Sequence, residues 1–211
     1  MSSGVNIENA EVSLKANAGY YGRSIIVKLL FSLAFAILMA ISANSFVYLP
    51  FTPVPITLQV LTVLLSGLFL GSRWALASQT LYVLMGFMGL PVFSGFKNAA
   101  IAFTGPTVGY IAGFMAAAFL TGYIYENSGK KYGGPLSSLV IPFVSCLAGV
   151  IVIHIFGFIY LSGYLFSLTG AQVVSSILIK TWKLGTQPFL VIDFLKILAA
   201  VIIINSNKIK K

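Results

Sequence analysis

PFLVIDFLKILAAVIIIN, residues 188–205, is the stretch whose reading decides the fold. A helix needs about 20 predominantly apolar residues to cross the hydrocarbon of a bilayer, and this run supplies nearly that. Two charges, Asp193 and Lys196, interrupt it. They stand three residues apart, which on a helix puts them on one face. An ionisable group in a span costs roughly 2.5–3.5 kcal/mol even on the insertion scale, so it faces a cavity or a partner rather than lipid. A membrane helix with a purposeful polar patch near one end is the reading that satisfies both facts.

The rest of the chain agrees. Of its 211 residues 58% are hydrophobic and only 8% are charged, whereas a soluble domain is about 45–50% apolar and about 25% charged. There is too little polar material to coat a globule in water, so the chain reads as an integral membrane protein. Its apolar runs are continuous, not the short alternating segments of a transmembrane barrel. The expected fold is all-α, a single bundle of six transmembrane helices over residues 25–205. A polar cytoplasmic tail, 1–24, precedes it and a basic tail, 206–211, follows.

The expected first span covers 25–47 and ends at LPFTPVP (49–55), where three prolines exclude continued helix. Pro55 can open the second span, which stops at Gly71 and is short for a full crossing; its start can lie in protein rather than lipid. The third runs from Arg73 and Trp74 to about Gly89. LPVFSGFKNAAIAFTGP (90–106) is neither periodic nor polar enough for a simple solvent loop, and its length and phenylalanines predict an ordered segment folded over something. The fourth and fifth spans cover about 106–125 and 136–160. Residues 166–187 are only moderately apolar and read as an interfacial amphipathic segment.

The net charge of +9 comes from 13 Lys or Arg against 4 Asp or Glu. The basic residues stand mostly singly in tails and connections, as orientation signals do, and do not form a nucleic-acid surface. With both termini in the cytoplasm, Lys15, Arg23, Lys28, Arg73, Lys130, Lys131, Lys208, Lys210 and Lys211 lie inside. Lys97, Lys180 and Lys183 lie outside, and Lys196 stays in the last span. This orientation puts LPFTPVP, the 90–106 loop and the segment before the last span together on the outer face. Asp193 and Lys196 then sit a turn or two below the outer mouth, where a pocket for a small solute belongs.

Asp193 and Lys196 form either an internal ion pair locking a helix contact or the polar floor of a ligand pocket. An ionised Asp only accepts hydrogen bonds and a Lys only donates, so together they suit a group with both N–H donors and a carbonyl. SLAFAILMA (32–40) places Ser32, Ala36 and Ala40 at successive i+4 positions, a small-residue stripe that serves internal packing or a separate membrane partner equally well. His154, mid-span, reads as an interhelical hydrogen bond before a proton relay. Gln59, Tyr82 and Asn98 are polar groups at outer ends or in the long loop. Cys146, the single cysteine, reads as a packing residue. One His, one Cys and four acids leave no raw material for a metal site or a catalytic triad. No phosphate-cradling loop is present, so any ATP used must bind elsewhere. Neither an enzyme nor a cofactor is expected.

Four motifs in order, TPVPITLQVLTVLLSG (52–67), GLPVFSGF (89–96), TGPTVGYIAGF (104–114) and PFLVIDFLK (188–196), resemble the BioY family, the biotin-specific substrate-binding subunits of energy-coupling-factor (ECF) transporters. The resemblance covers about residues 25–205. It implies a six-helix bundle in the bacterial plasma membrane that captures biotin at its outer side. It also implies assembly with a scaffold membrane subunit (T) and two ATPase subunits. Asp193 and Lys196 match the family's Asp-x-x-Lys, linked to biotin; Ala36 and Ala40, with Ser32 as an extension, match its small-residue docking motif. On this reading Asp193 accepts a ureido N–H, and Lys196 either serves the ureido end or meets the ligand's carboxylate. Tyr82, Phe93 and Phe96 cover the apolar rings, with Gln59 and Asn98 as further ligand contacts. A self-sufficient carrier or channel without an ATPase partner is the alternative function.

Overall fold

A computed structural model describes residues 7–131, 135–169 and 174–209. Eight α-helices follow in chain order: α1 (Ile7–Asn44), α2 (Gln59–Leu70), α3 (Ser72–Phe87), α4 (Ala99–Ala102), α5 (Val108–Lys131), α6 (Pro135–Thr169), α7 (Val174–Thr181) and α8 (Leu190–Ile209). A two-residue strand pair, β1 (Phe46–Val47) with β2 (Ile56–Thr57), lies between α1 and α2. Among the described residues four helical stretches are long and apolar enough to cross a membrane: Ile25–Asn44, Val108–Ser128, Ser137–Thr169 and Val174–Ser206. The molecule is therefore a helical membrane protein.

Several boundaries differ from the sequence reading, each for a local reason. Helix α1 starts at Ile7, well inside the stretch read as a polar tail. Pro55 does not open a helix. The residues after it, Ile56 and Thr57, are β-branched and pair antiparallel with Val47 and Phe46, so α2 begins only at Gln59. Helix α2 has 12 residues and α3 has 16, both short of a full span. Most of α2 is buried in the bundle, as its length and the prolines before it led one to expect. Helix α6, read from the sequence as the fifth span, runs on to Thr169. The segment read as interfacial then becomes α7, a π-helical turn (Trp182–Thr186) and a 3-10 turn (Gln187–Phe189) leading straight into α8.

Helix α2 is the centre of the packing and touches α1, α3, α5 and α8. It passes into α3 with one intervening residue, Gly71, whose φ of +76° is a region that side-chain-bearing residues rarely adopt. The buried start of α3 is capped from another helix: the Glu126 carboxylate of α5 accepts from the Ser72 N–H at 3.2 Å and from its hydroxyl at 2.8 Å. Helix α5 lies along α6. A side chain at Gly113 would stand only 3.1 Å from the Ile153 Cα, so the missing Cβ is what lets the two backbones close, as small residues do between helices in lipid.

Candidate functional site

One turn of α8 builds the polar end of the site. Lys196 Nζ donates to Asp193 Oδ1 at 2.8 Å, the i,i+3 geometry their spacing demands. His154 of α6 reaches the other carboxylate oxygen, with Nε2 3.0 Å from Oδ2. An ionised carboxylate accepts only, so the ring gives its Nε2 hydrogen to Asp193. Nδ1 is then left buried with no hydrogen-bond partner. Asp193 is 2% exposed and Lys196 7%. A buried charge is sustained only by a partner and hydrogen bonds, and Asp193 has an ion pair with Lys196 on its own helix and a hydrogen bond from His154 on α6. The interhelical bond expected of His154 thus exists, and Asp193 is its partner.

Both charged residues and His154 line a partly enclosed cavity of about 110 Å³. The other walls come from the LPFTPVP stretch, the 90–106 segment, α2, α3, α5, α6 and Phe189 just before α8. Gln59 enters from the start of α2 and Tyr82 from α3. Gln59 Nε2 donates to the Tyr82 hydroxyl at 3.0 Å, while Thr57 Oγ1 donates to Gln59 Oε1 at 3.2 Å, so the amide is held from both ends. Phe93, 2% exposed, packs edge-on against Tyr82 with centroids 5.2 Å apart. Tyr110 of α5 lines the cavity too. Such a site, mostly apolar with a few convergent polar groups, has the make-up of a small-molecule pocket.

Hydrogen bonds tie segments near this cavity to one another. Thr52 Oγ1 donates to the Leu184 carbonyl at 2.5 Å and the Tyr110 hydroxyl to the Gly185 carbonyl at 2.7 Å; both acceptors lie in the π-helical turn before α8. The 90–106 segment is ordered: Phe93 and Lys97 exchange backbone hydrogen bonds around a tight reversal, and α4 follows. Phe96, at the tip, has a φ of +56°, and its N–H donates to Asn44 Oδ1 at the end of α1 at 2.8 Å.

The structure thus gathers Asp193, Lys196, Tyr82, Gln59 and Phe93 around one cavity. It does not bring Asn98 there. The Asn98 amide oxygen accepts from the Ile101 N–H at 3.3 Å and caps α4, the ordinary task of an Asn ahead of a helix. Nor does Phe96 line the cavity; it is 69% exposed. Lys97 of the 90–106 segment also lines the cavity. The stripe on α1 is also corrected. Ser32 and Ala36 are fully buried within the bundle, and Ser32 Oγ donates to the Trp74 carbonyl of α3 at 3.1 Å, so these two side chains present no surface to a separate partner. Ala40 is half-buried. The sequence reading assigned His154 an interhelical hydrogen bond but did not name the acceptor, because that partner lies 39 residues away; an ionisable ring in a span was the one available signal.

The sequence pattern of the BioY family matches residues 12–210. The chain belongs to the BioY family. Among its relatives, the biotin transporter BioY of Thermotoga maritima is 34% identical over 163 residues, covering 77% of this chain and 86% of that protein. The probable biotin transporter BioY of Pyrococcus horikoshii is 35% identical over 151 residues, 72% of this chain and 78% of that one. The crystal structure of the S-component for biotin from an ECF-type ABC transporter superposes with a TM-score of 0.69. It covers 88% of this chain and 93% of that one at 23% identity, a likeness of fold. These BioY relatives are named as transporters, and none of the three as an enzyme.

Proposed function

We propose that this chain is a biotin-capturing transport subunit that takes its ligand from the outer face of the bacterial plasma membrane. The observation that carries the reading is the buried Asp193–Lys196 pair in the wall of a cavity lined mostly by aromatic and aliphatic side chains, with Gln59, Lys97 and His154 among its other polar groups. Biotin is a fused bicycle with a ureido group at one end and a carboxylate at the end of an apolar chain. Asp193 accepts a ureido N–H. Lys196, already bound to Asp193, orients it or donates to the ureido carbonyl. Tyr82 and Phe93 pack against the rings. Lys97, entering the same cavity from the 90–106 segment, supplies a cation for the distant carboxylate, so Lys196 is not needed at that end. The names borne by the relatives support the same ligand.

In this reading α2 and α3 complete a six-helix membrane bundle with the four longer spans. Both termini lie in the cytoplasm, and the 90–106 segment covers the site from outside. Uptake is driven by a scaffold membrane subunit and two ATPase subunits, since no nucleotide-binding motif exists in the chain. The scaffold meets α1 at Ala40 and the apolar side chains beside it, Ile37 and Ile41, which are 46% and 59% exposed.

The deciding experiment is mass spectrometry of small molecules retained by the chain purified in mild detergent. Biotin is the expected species. A protein that retains none, and that takes up none when biotin is supplied, would overturn the assignment.

A further inference from the structure

The Asp193 carboxylate is held from two helices. Lys196 shares α8 with it, so that bond travels with the helix. The bond from His154 of α6 is the only one of the two that fixes the carboxylate against the rest of the bundle. We infer that His154 is a positioning residue for ligand capture, holding Asp193 in the orientation that receives the ligand's N–H. The inference rests on reading the cavity as a biotin site. Each carboxylate oxygen can accept more than one hydrogen bond. One donor on Oδ1 and one on Oδ2 therefore restrain the group and still leave acceptor capacity for the ligand. A ligand that meets a carboxylate already held this way need not order it on binding, and that saving is the benefit of preorganisation.

His154 has a second position of consequence. It lines the central cavity and also a larger apolar groove of about 590 Å³ on the α6–α8 seam, and no other residue lines both. The ring is thus a wall between the polar site and the lipid-facing side of the bundle. That decides which substitutions are informative. Alanine would breach the wall along with the bond. Leucine keeps bulk and removes the donor, glutamine keeps an N–H at similar reach, and asparagine has the same amide on a side chain too short to reach Asp193.

The test is a double-mutant cycle on biotin affinity, measured at equilibrium with the full-length chain in detergent. The set is the parent, His154→Leu, Asp193→Asn and the double variant, with His154→Gln and His154→Asn alongside. Loss of a hydrogen bond to a charged group should weaken biotin binding by about tenfold or more in His154→Leu. His154→Gln should recover most of that loss and His154→Asn should not. In the Asp193→Asn background the His154→Leu change should cost less than about twofold, because the group it positions is already altered. Equal losses in both backgrounds would overturn the inference, as would parent-like binding by His154→Leu. If His154→Leu does not fold, the glutamine and asparagine variants decide: equal affinity in the two overturns it. A folded parent chain that takes no biotin removes the cavity reading itself. A parent that binds, with Asp193→Asn weakened and the His154 variants unchanged, removes only the role of His154.

Discussion

At the scale of single residues, Asp193 and Lys196 show how far local spacing reaches. A separation of three on a helix was enough to place them on one face, and they meet at 2.8 Å. Their charges made them legible, since a span tolerates such groups only with a use for them. Truncating one member of a buried charged pair leaves the other unpaired, at a cost of about 2–5 kcal/mol or more. Asp193→Asn and Lys196→Ala should therefore each weaken biotin about thirtyfold or more in equilibrium binding. Parent-like affinity in both would place the polar end of the ligand elsewhere. Neutral polar residues were less legible. Asn98 and Gln59 looked alike in sequence, but one closes the first turn of α4 and the other is clamped between Thr57 and Tyr82 at the cavity. Which hydrogen bond an amide makes depends on the neighbour it finds.

At the scale of elements, the small-residue stripe on α1 was open to two readings, and packing separates its members. Ser32 faces α3 through its bond to the Trp74 carbonyl, with Lys28 lying 6.0 Å over the Trp74 ring, and Ala36 one turn on is fully buried in the bundle, while Ala40 sits at the edge. Ala36→Trp should overpack this contact, a change that costs typically about 1–3 kcal/mol and more for so large a ring. A fall in folded yield on size-exclusion chromatography, with biotin binding reduced alongside, is the expected result. Ala40→Trp should keep biotin binding and abolish co-purification with a scaffold subunit. A scaffold complex that survives Ala40→Trp would move the docking surface off this part of α1. The strand pair at Phe46–Val47 and Ile56–Thr57 was illegible for a related reason. Two residues per strand are too few to show alternation, and only their partner across the prolines makes them strands.

At the scale of the whole molecule, connections far apart in sequence, 48–57 and 93–107, converge on one cavity, and the proposed orientation can be checked directly. Cys146 is fully buried, so a cysteine introduced elsewhere reports alone. Lys97→Cys should react with a membrane-impermeant maleimide in intact cells, and Arg73→Cys should react only after the membrane is opened. The reverse pattern would invert the topology. Membrane residence, helical class, the order of the long helices and the charged pair on the last of them were set by sequence alone. They follow from transfer free energies and helical spacing, which are local and nearly additive along the chain. The rotation of each helix about its axis was not. In lipid the outward and inward faces of a helix are both apolar, so the polar-versus-apolar contrast that orients a helix in a soluble protein is missing. Only packing of all the helices together decides that Ser32 and Ala36 turn inward, that Phe96 turns out, and that His154 meets Asp193 across the α6–α8 seam.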